Sequence, residues 1–391
     1  MSTASCIALG EIMASKSGSV DPSKFPDEVF DLYSIPAFDN RHPEVVQGRA
    51  IGSAKQVVSP GDVLLSRIVP HIRRSWVVAH GSERRIIASG EWIVFRSDRV
   101  HPDYLRHVLV GDPFHAQFMN TVAGVGGSLL RARPEHVGKI KIPLPPLAEQ
   151  RRVADVLDRA EALRAKRRGT LVQLEALTQS IFLDLFGDPA ANPKGWELLR
   201  LQDVLSMPLR NGLSPSNVGK VTAKVLTLSA ITGSEFDDLA WKVSTFRSPP
   251  PSDQSVDEND FLICRGNGNV RLVGKGYFPT RRMPDVTFPD TMIAARIKAD
   301  HLERLFLQHI WGRSAVRRQV ESLARTTNGT FKVNQTMLEG ITFIGPPLEL
   351  QREFARRVGA TDKMKAAQRA SLAELDALFA VLQHRAFRGE L

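Results

Sequence analysis

Pro145-Pro146-Leu147-Ala148-Glu149-Gln150-Arg151-Arg152-Val153 and Pro346-Pro347-Leu348-Glu349-Leu350-Gln351-Arg352-Glu353-Phe354 are two copies of one segment, 201 positions apart. The likeness runs without a gap from 145–186 to 346–387. Ala154 meets Ala355, Leu171 meets Leu372, Leu174 meets Leu375, Leu177 meets Leu378 and Phe186 meets Phe387. Polarity holds where identity lapses, as at Val153 with Phe354 and Leu157 with Val358. Solenoid repeats recur at roughly 20–50 residues. One duplication this far apart instead divides the chain into two similar halves.

Proline fixes φ and removes a donor, so each Pro-Pro pair ends the short apolar run before it and can open a helix. Those runs, Ile140-Lys141-Ile142 and Ile341-Thr342-Phe343, read as strands. The residues after each break read as helix. Val153, Leu157, Ala160 and Leu163 recur at three- and four-residue steps, and Leu171, Leu174, Leu177, Ile181 and Leu185 resume them. The second copy carries Phe354, Val358, Met364, Leu372, Leu375, Leu378, Leu382 and Phe387. Such spacing resembles a coiled-coil seam. Some forty residues at 1.5 Å each make a rod of about 60 Å. Each rod needs an apolar partner, and the other copy supplies one, packed antiparallel or side by side. Gly169 and Gly359 interrupt the rods and mark candidate bends.

Two globular parts remain, each of mixed α and β character, and the fold class is α+β. Leu9-Gly10-Glu11-Ile12 and Leu201-Gln202-Asp203-Val204-Leu205 suggest that both open alike. Leu32-Tyr33-Ser34-Ile35 reads as a strand, with Val225-Leu226-Thr227-Leu228 as a loose counterpart. A firmer match joins Pro60-Gly61-Asp62-Val63-Leu64-Leu65-Ser66-Arg67 to Glu258-Asn259-Asp260-Phe261-Leu262-Ile263-Cys264-Arg265: a turn, a buried strand, then an arginine. Gly127-Ser128-Leu129-Leu130-Arg131 and Asn328-Gly329-Thr330-Phe331-Lys332 occupy equivalent places before the Pro-Pro breaks.

The formal charge of +10 favours a polyanionic partner. Residues 1–144 hold 17 basic and 14 acidic residues and residues 188–345 hold 20 and 16, so the excess is spread over folded parts and does not sit in a tail. Cys6 and Cys264 are too few for a disulfide framework or a cysteine zinc site. No run of 18 apolar residues and no secretory signal is evident, and cytoplasm is the expected location.

Catalytic motifs are wanting. There is no G-x-x-x-x-G-K-[ST] phosphate loop, no H-E-x-x-H zinc helix and no adenine-methylating tetrapeptide of Asp or Asn, two prolines and an aromatic. Gly266-Asn267-Gly268-Asn269-Val270-Arg271 begins like a dinucleotide loop, but Arg271 stands at the third glycine and a turn is the better reading. Pro289-Asp290 with Lys298 approaches a nuclease pattern, yet Arg296 occupies its second acidic position. The expected chain binds and does not catalyse, with no metal and no cofactor of its own.

Four strings stand in order along the chain: Ile142-Pro143-Leu144-Pro145-Pro146-Leu147-Ala148-Glu149-Gln150 with the helix behind it, Asn192-Pro193-Lys194-Gly195-Trp196-Glu197, Pro346-Pro347-Leu348 through Gln351, and Ala386-Phe387-Arg388-Gly389-Glu390-Leu391. On these the chain resembles the specificity (S) subunits of type I restriction-modification systems along essentially its whole length. The resemblance implies two target-recognition domains, 1–144 and 188–345, each reading half of an interrupted double-stranded DNA site. Helical spacers at 145–187 and 346–391 would form an antiparallel coiled coil between them. The same helices would dock methyltransferase (M) subunits, through Leu147, Gln150, Arg151, Leu348, Gln351 and Arg352, and indirectly restriction (R) subunits. S-adenosylmethionine, ATP and magnesium would then belong to those partners. Gly345 and Leu350 stand where the first copy has Leu144 and Glu149, so the two docking surfaces would differ.

Arg, Lys, Asn and Gln read base edges in the major groove. The candidates here are Arg67, Arg73, Arg74, Arg131 and Arg133 in the first half, and Arg265, Asn267, Asn269, Arg271, Lys332 and Asn334 in the second. The competing reading is a coiled-coil scaffold with two protein-binding domains, which a salt-dependent DNA gel shift with the methyltransferase partner present distinguishes. If the rods act as a ruler, four residues inserted after Thr170 add about 6 Å and lengthen the gap in the methylated motif by about one or two base pairs. Methylation mapping that shows an unchanged gap in an assembled complex contradicts the ruler.

Overall fold

A computed structural model describes residues 5–14, 18–123, 130–327, 329–387 and 390. Of the features singled out above, Gly127-Ser128-Leu129, Asn328, Arg388-Gly389 and Leu391 fall outside those residues. The chain divides into two compact units, residues 1–169 with 369–391, and residues 170–368. Each unit therefore takes half of both long helices, Leu147–Phe186 and Leu348–Ala386, and the units do not follow the strand-to-helix boundaries of the sequence. No helix among the described residues is long and apolar enough to cross a membrane.

In the first unit, strand Cys6–Ala8 pairs antiparallel with Lys141–Pro143, immediately before the Pro-Pro break. A 3-10 turn at Leu9–Glu11 follows the first of these. The second unit repeats the device: Leu198–Arg200 pairs with Thr342–Ile344, and a 3-10 turn follows at Leu201–Val204. Both globular parts do open alike. Beyond that entry the first unit builds a five-stranded sheet in the order Ser19–Val20, Lys55–Val57, Arg85–Ala88, Val29–Tyr33, Glu44–Gln47, its third and fourth strands parallel. The second unit has the same kernel, with Trp241–Phe246 and Val221–Leu226 as an antiparallel ribbon and Met283–Thr287 parallel to the latter. Ser34 caps a short helix at Ile35–Asp39, so the strand expected over 32–35 stops at Tyr33.

The matched turn-and-strand segments form the buried strands Val63–Ser66 and Asp260–Cys264. Each begins beside a buried aspartate held by an arginine from the neighbouring strand's end. Arg96 donates from Nε and Nη2 to Asp62, and Arg296 does the same to Asp260, which also faces Arg210. A buried carboxylate must be paired to remain charged. The turn ahead of Asp62 uses Gly61 at φ +85°, a region that a side chain rarely adopts.

The long helices run unbroken through Gly169 and Gly359. They pair antiparallel: in the second unit Lys365 meets Glu175 and Thr178, while Phe354, farther back in its helix, meets Phe182 and Phe186. The inward positions follow strict three- and four-residue steps: Gln150, Val153, Leu157, Ala160, Arg164, Arg167, Leu171, Leu174 and Thr178. The other helix matches them with Gln351, Phe354, Val358, Thr361, Lys365, Gln368, Leu372, Leu375 and Phe379. This corrects the seam expected from the sequence. Leu163, Leu177, Met364 and Leu378 are 52%, 46%, 55% and 50% exposed, one position short of the seam. Arg164, Thr178 and Lys365 hold the inward positions beside the first three, so a purely apolar pattern selects their neighbours, while Phe379 holds the fourth.

Two cations in that seam are related by the repeat. Arg164 bonds Asp376 and stacks 4.3 Å from the Phe379 ring centroid in the first unit. In the second, Lys365 bonds Glu175 at 2.8 Å and Thr178 at 3.1 Å. A histidine facing the helices differs more sharply. His107 is buried, with Nε2 2.8 Å from an Asp158 carboxylate oxygen. His309, its counterpart, has Gly359 at the position of that aspartate and packs on Phe354. Burial pushes the His309 imidazole down to about 4, with Arg313 and Lys365 adding to that and Asp362 and Glu175 opposing it.

The consequence is an acid-sensitive second unit. His309 is neutral when folded, whereas the unfolded chain takes up its proton near pH 6.5. This stability is whole above about pH 6.5 and is lost as pH falls toward 4, by about 3 kcal/mol at most. Denaturant unfolding should show a smaller acid-side loss for His309→Gln than for the parent; equal losses would exclude His309 as the cause.

Candidate nucleic-acid interface

The arginines that end the matched strands hold equivalent positions. In the first unit the Arg67 carbonyl accepts from Ala132 N at 2.8 Å, and Ile68 bridges to Arg131. In the second, the Arg265 carbonyl accepts from Val333 N at 2.9 Å, and strand Gly266–Asn267 pairs with Thr330–Lys332. Arg131 and Lys332, like Arg133 and Asn334, are separated by the same 201 positions as the helices. Each unit thus gathers an arginine from a strand end and a base from the segment that leads to the Pro-Pro break.

Their electrostatic settings differ. Arg67 Nε donates to Glu91 at 3.0 Å, and Arg131 donates to both oxygens of the same carboxylate at 3.1 and 3.3 Å. Burial alone would raise the Glu91 pKa, but bonds from Arg131 and Arg67 hold it below the usual carboxylate range. The backbone N–H of Arg67 donates to the Glu91 carbonyl and that of Arg265 to the Thr291 carbonyl, so Thr291 stands at the Glu91 position. The second cluster keeps its positive charge where the first is partly neutralised. Glu91 was not among the sequence candidates; its place beside Arg67 depends on pairing between Val63–Ser66 and Trp92–Phe95, a non-local contact.

The remaining candidates divide into exposed and structural groups. Arg133 and Arg271 are exposed, and Lys332 is exposed beside Gly266. Arg73 donates to the Val110 carbonyl at 3.1 Å and pairs with Asp112 at 2.6 Å. Arg265 donates to the Asp290 carbonyl at 3.2 Å. Asn267 and Asn269 spend their side-chain oxygens on the loop, accepting from Asn269 N and Arg271 N. Asn334 caps the helix Gln335–Glu339 by accepting from Met337 N. Arg74 is buried, with two bonds to Asp39 at 3.0 and 3.1 Å. That geometry makes Arg74 a brace for the fold and leaves it out of reach of a ligand.

Of the residues expected to dock partners, Leu147, Arg151 and Arg352 face solvent and Leu348 is half-buried. Gln150 and Gln351 are 1% exposed and are corrected to internal braces. Gln150 accepts from His101 N at 2.7 Å and donates to the Pro145 carbonyl at 2.8 Å and the Arg99 carbonyl at 3.2 Å. Gln351 accepts from Glu303 N and donates to the Pro346 carbonyl.

His107, Asp158 and Glu161 stand close enough to hold a metal ion. Arg106 already fills that place, bonding both carboxylates from Nη2 and Nη1. Burial would raise the Asp158 pKa, but its bond with His107 and the Arg106 charge keep it low. The trio is an ion-pair network that ties helix Pro102–Val110 to the first long helix.

The geometry defines an α+β protein with two similar units sharing a pair of antiparallel helices, each unit carrying a basic cluster at one strand end. In sequence and in fold it is akin to the specificity subunits of type I restriction enzymes. It is 25% identical over 287 residues to the EcoKI specificity subunit of Escherichia coli K12, a match that covers 68% of this chain and 61% of that protein. It is 25% identical over 319 residues to the StySPI specificity subunit of Salmonella potsdam, covering 75% and 66%. The matched stretch is thus just under two thirds of either relative. The type I S subunit of M. genitalium shares the fold, with a TM-score of 0.57 at 10% identity across 99% of this chain and 97% of that one. No family model matches the chain.

Proposed function

We propose that this chain is the DNA-recognition subunit of a type I restriction-modification complex. Its two units each bind one half of an interrupted duplex target. The observation that carries this reading is the doubled cluster: Arg67 with Arg131 and Arg133, and Arg265 with Lys332 and Asn334, at the same place in two similar folds. Two equivalent basic sites in one chain suit a target with two parts, and their unequal chemistry suits two different half-sites. Sequence is read by side chains on base edges, while phosphate contacts set affinity and register.

Catalysis falls to partner subunits in this reading. The exposed Leu147, Arg151 and Arg352 and the half-buried Leu348 at the starts of the long helices are positions for docking methyltransferase subunits, and the restriction subunits join through those. S-adenosylmethionine, ATP and magnesium are held by the partners. The purified chain alone neither methylates nor cuts DNA.

Exchange of residues 1–144 for the equivalent part of another specificity subunit should alter one half of the methylated motif and leave the other intact; alteration of both halves would contradict independent recognition. Within a unit, Arg265→Ala costs about 1–3 kcal/mol and relaxes preference at one base pair if the guanidinium holds a guanine. A loss equal on all sequences would assign Arg265 to a phosphate. Glu91→Gln removes the charge that offsets Arg67 and Arg131. It should tighten binding to any duplex and steepen the salt dependence by up to about 0.9 per phosphate newly engaged, as read by fluorescence anisotropy across a salt series. An unchanged slope would place the Arg67 cluster away from DNA.

A further inference from the structure

Of the antiparallel ribbon of Val221–Leu226 and Trp241–Phe246 in the second unit, the sequence reading names only Val225 and Leu226. Its outward face is unusual in charge. Pairing sets Lys224 opposite Val243 and Leu226 opposite Trp241, and the Lys224 ammonium stands 4.8 Å from the Trp241 ring centroid. Side chains alternate across a strand, so Lys220 and Arg247, one residue beyond each strand, continue the phase of Lys224 and Val243. Lys242 projects from the other side of the edge strand. All four cations are exposed, and among the described residues none of them has an ion pair. No aspartate or glutamate occurs between Asp203 and Glu235 or between Asp238 and Asp253. Between the two stretches, Asp238 is bonded to Arg281 and Asp237 accepts from the N–H of Leu239.

Lys220 and Arg247 flank the last pair of the ribbon, Val221 with Phe246. Like charges gathered at one end of a ribbon repel. A polyanion relieves that repulsion. The same fold does not require the arrangement. In the first unit the corresponding strands Val29–Tyr33 and Glu44–Gln47 carry Asp31, bonded to Arg84, and Glu44, which accepts from Ser34. Arg49 and Arg85 beside them are paired with Asp27 and Glu28.

We infer that the outward face of this ribbon is a phosphate-contacting surface for duplex DNA, with Lys220, Lys224 and Arg247 each neutralising a phosphate. The inference deepens the proposed function and rests on it, since it supplies the backbone grip that accompanies base reading in the second unit. Two residues along a strand span about 7 Å, so Lys220, Thr222 and Lys224 present two charges roughly 13 Å apart. That spacing suits a backbone whose phosphates recur about every 3.4 Å of helix axis on each strand. Trp241 and Val243 lie beside the charges and admit contact with sugars. The contacts carry no sequence information.

The test uses the full chain and a labelled 40-base-pair duplex of mixed sequence, with anisotropy measured from low to moderate salt. The parent protein is compared with the triple variant Lys220→Gln, Lys224→Gln, Arg247→Gln and with Lys224→Glu alone, each checked by circular dichroism and thermal unfolding. The expected result is that log K against log salt is shallower by about 2–3 for the triple variant, near 0.9 per lost contact, and that affinity falls alike on a second, unrelated duplex. Lys224→Glu should fall further than a single neutral change. If the parent binds and the triple variant keeps its affinity and slope, the ribbon is no DNA surface and the inference is overturned while the proposed function stands. Self-association of the triple variant at unchanged slope overturns it equally and assigns the lysines to shielding an exposed strand edge. An unchanged slope with binding of a protein partner lost would make the face a protein-docking site. Failure of the parent to bind any duplex at low salt removes both the inference and the function on which it rests.

Discussion

A buried glutamine one turn into each long helix joins the parts of this molecule. Gln150 and Gln351 each accept a hydrogen bond from the N–H that opens the facing short helix and return one to the first proline of their own Pro-Pro break. An amide side chain suits that place because it donates and accepts at once. The break has a proline with no N–H to offer and a carbonyl in need of a donor, and the short helix has an orphan N–H in need of an acceptor. One side chain satisfies both. Removal would strand buried polar groups at a cost of about 1–3 kcal/mol each. Each glutamine thereby ties the start of a long helix to the opening of a short one.

The duplication persists in packing and diverges in charge. Arg164 and Lys365, Asp376 and Glu175, Phe379 and Thr178 are matched sets that solve one problem twice, a cation in a helical seam, by stacking in one case and by a hydroxyl in the other. Lysine at an inward position lowers coiled-coil stability and selects register. At the histidines and strand-end arginines the copies part company. Asp158 has no equivalent carboxylate at Gly359, and Glu91 none at Thr291. At these positions the two copies therefore differ in groups that carry charge.

Much of this was legible from residues alone. The Pro-Pro breaks, the forty-residue helices, the matched strands at Val63–Ser66 and Asp260–Cys264 and the paired openings arise from local pattern, and local pattern is what a sequence displays. The seam is legible at Val153, Leu157, Leu174, Phe354 and Val358, but falls one position short at Leu163, Leu177 and Met364, because Arg164, Thr178 and Lys365 occupy it and apolar periodicity passes over them. Arg74, Gln150 and Gln351 read as surface groups by residue type. Their burial depends on Asp39, His101 and Glu303, residues that the fold brings near from 35 to 49 positions away. Glu91 was invisible for the same reason.

The first unit is discontinuous in the chain, and that has a consequence for the order in which the protein acquires its shape. Residues 170–368 form one uninterrupted unit, whereas Phe379 and Ala386 complete the core that begins at Ile7. A ribosome adding roughly 5–20 residues per second needs about 10–40 s to pass from residue 169 to residue 369. Through that interval the first unit has a helix half without its mate and an apolar face around Val153 and Leu157 left wet, and at its end the second unit has all its residues. The later-made unit is thus the first able to finish. The earlier one waits on it, and its exposed face is the one that a chaperone or a premature partner would meet.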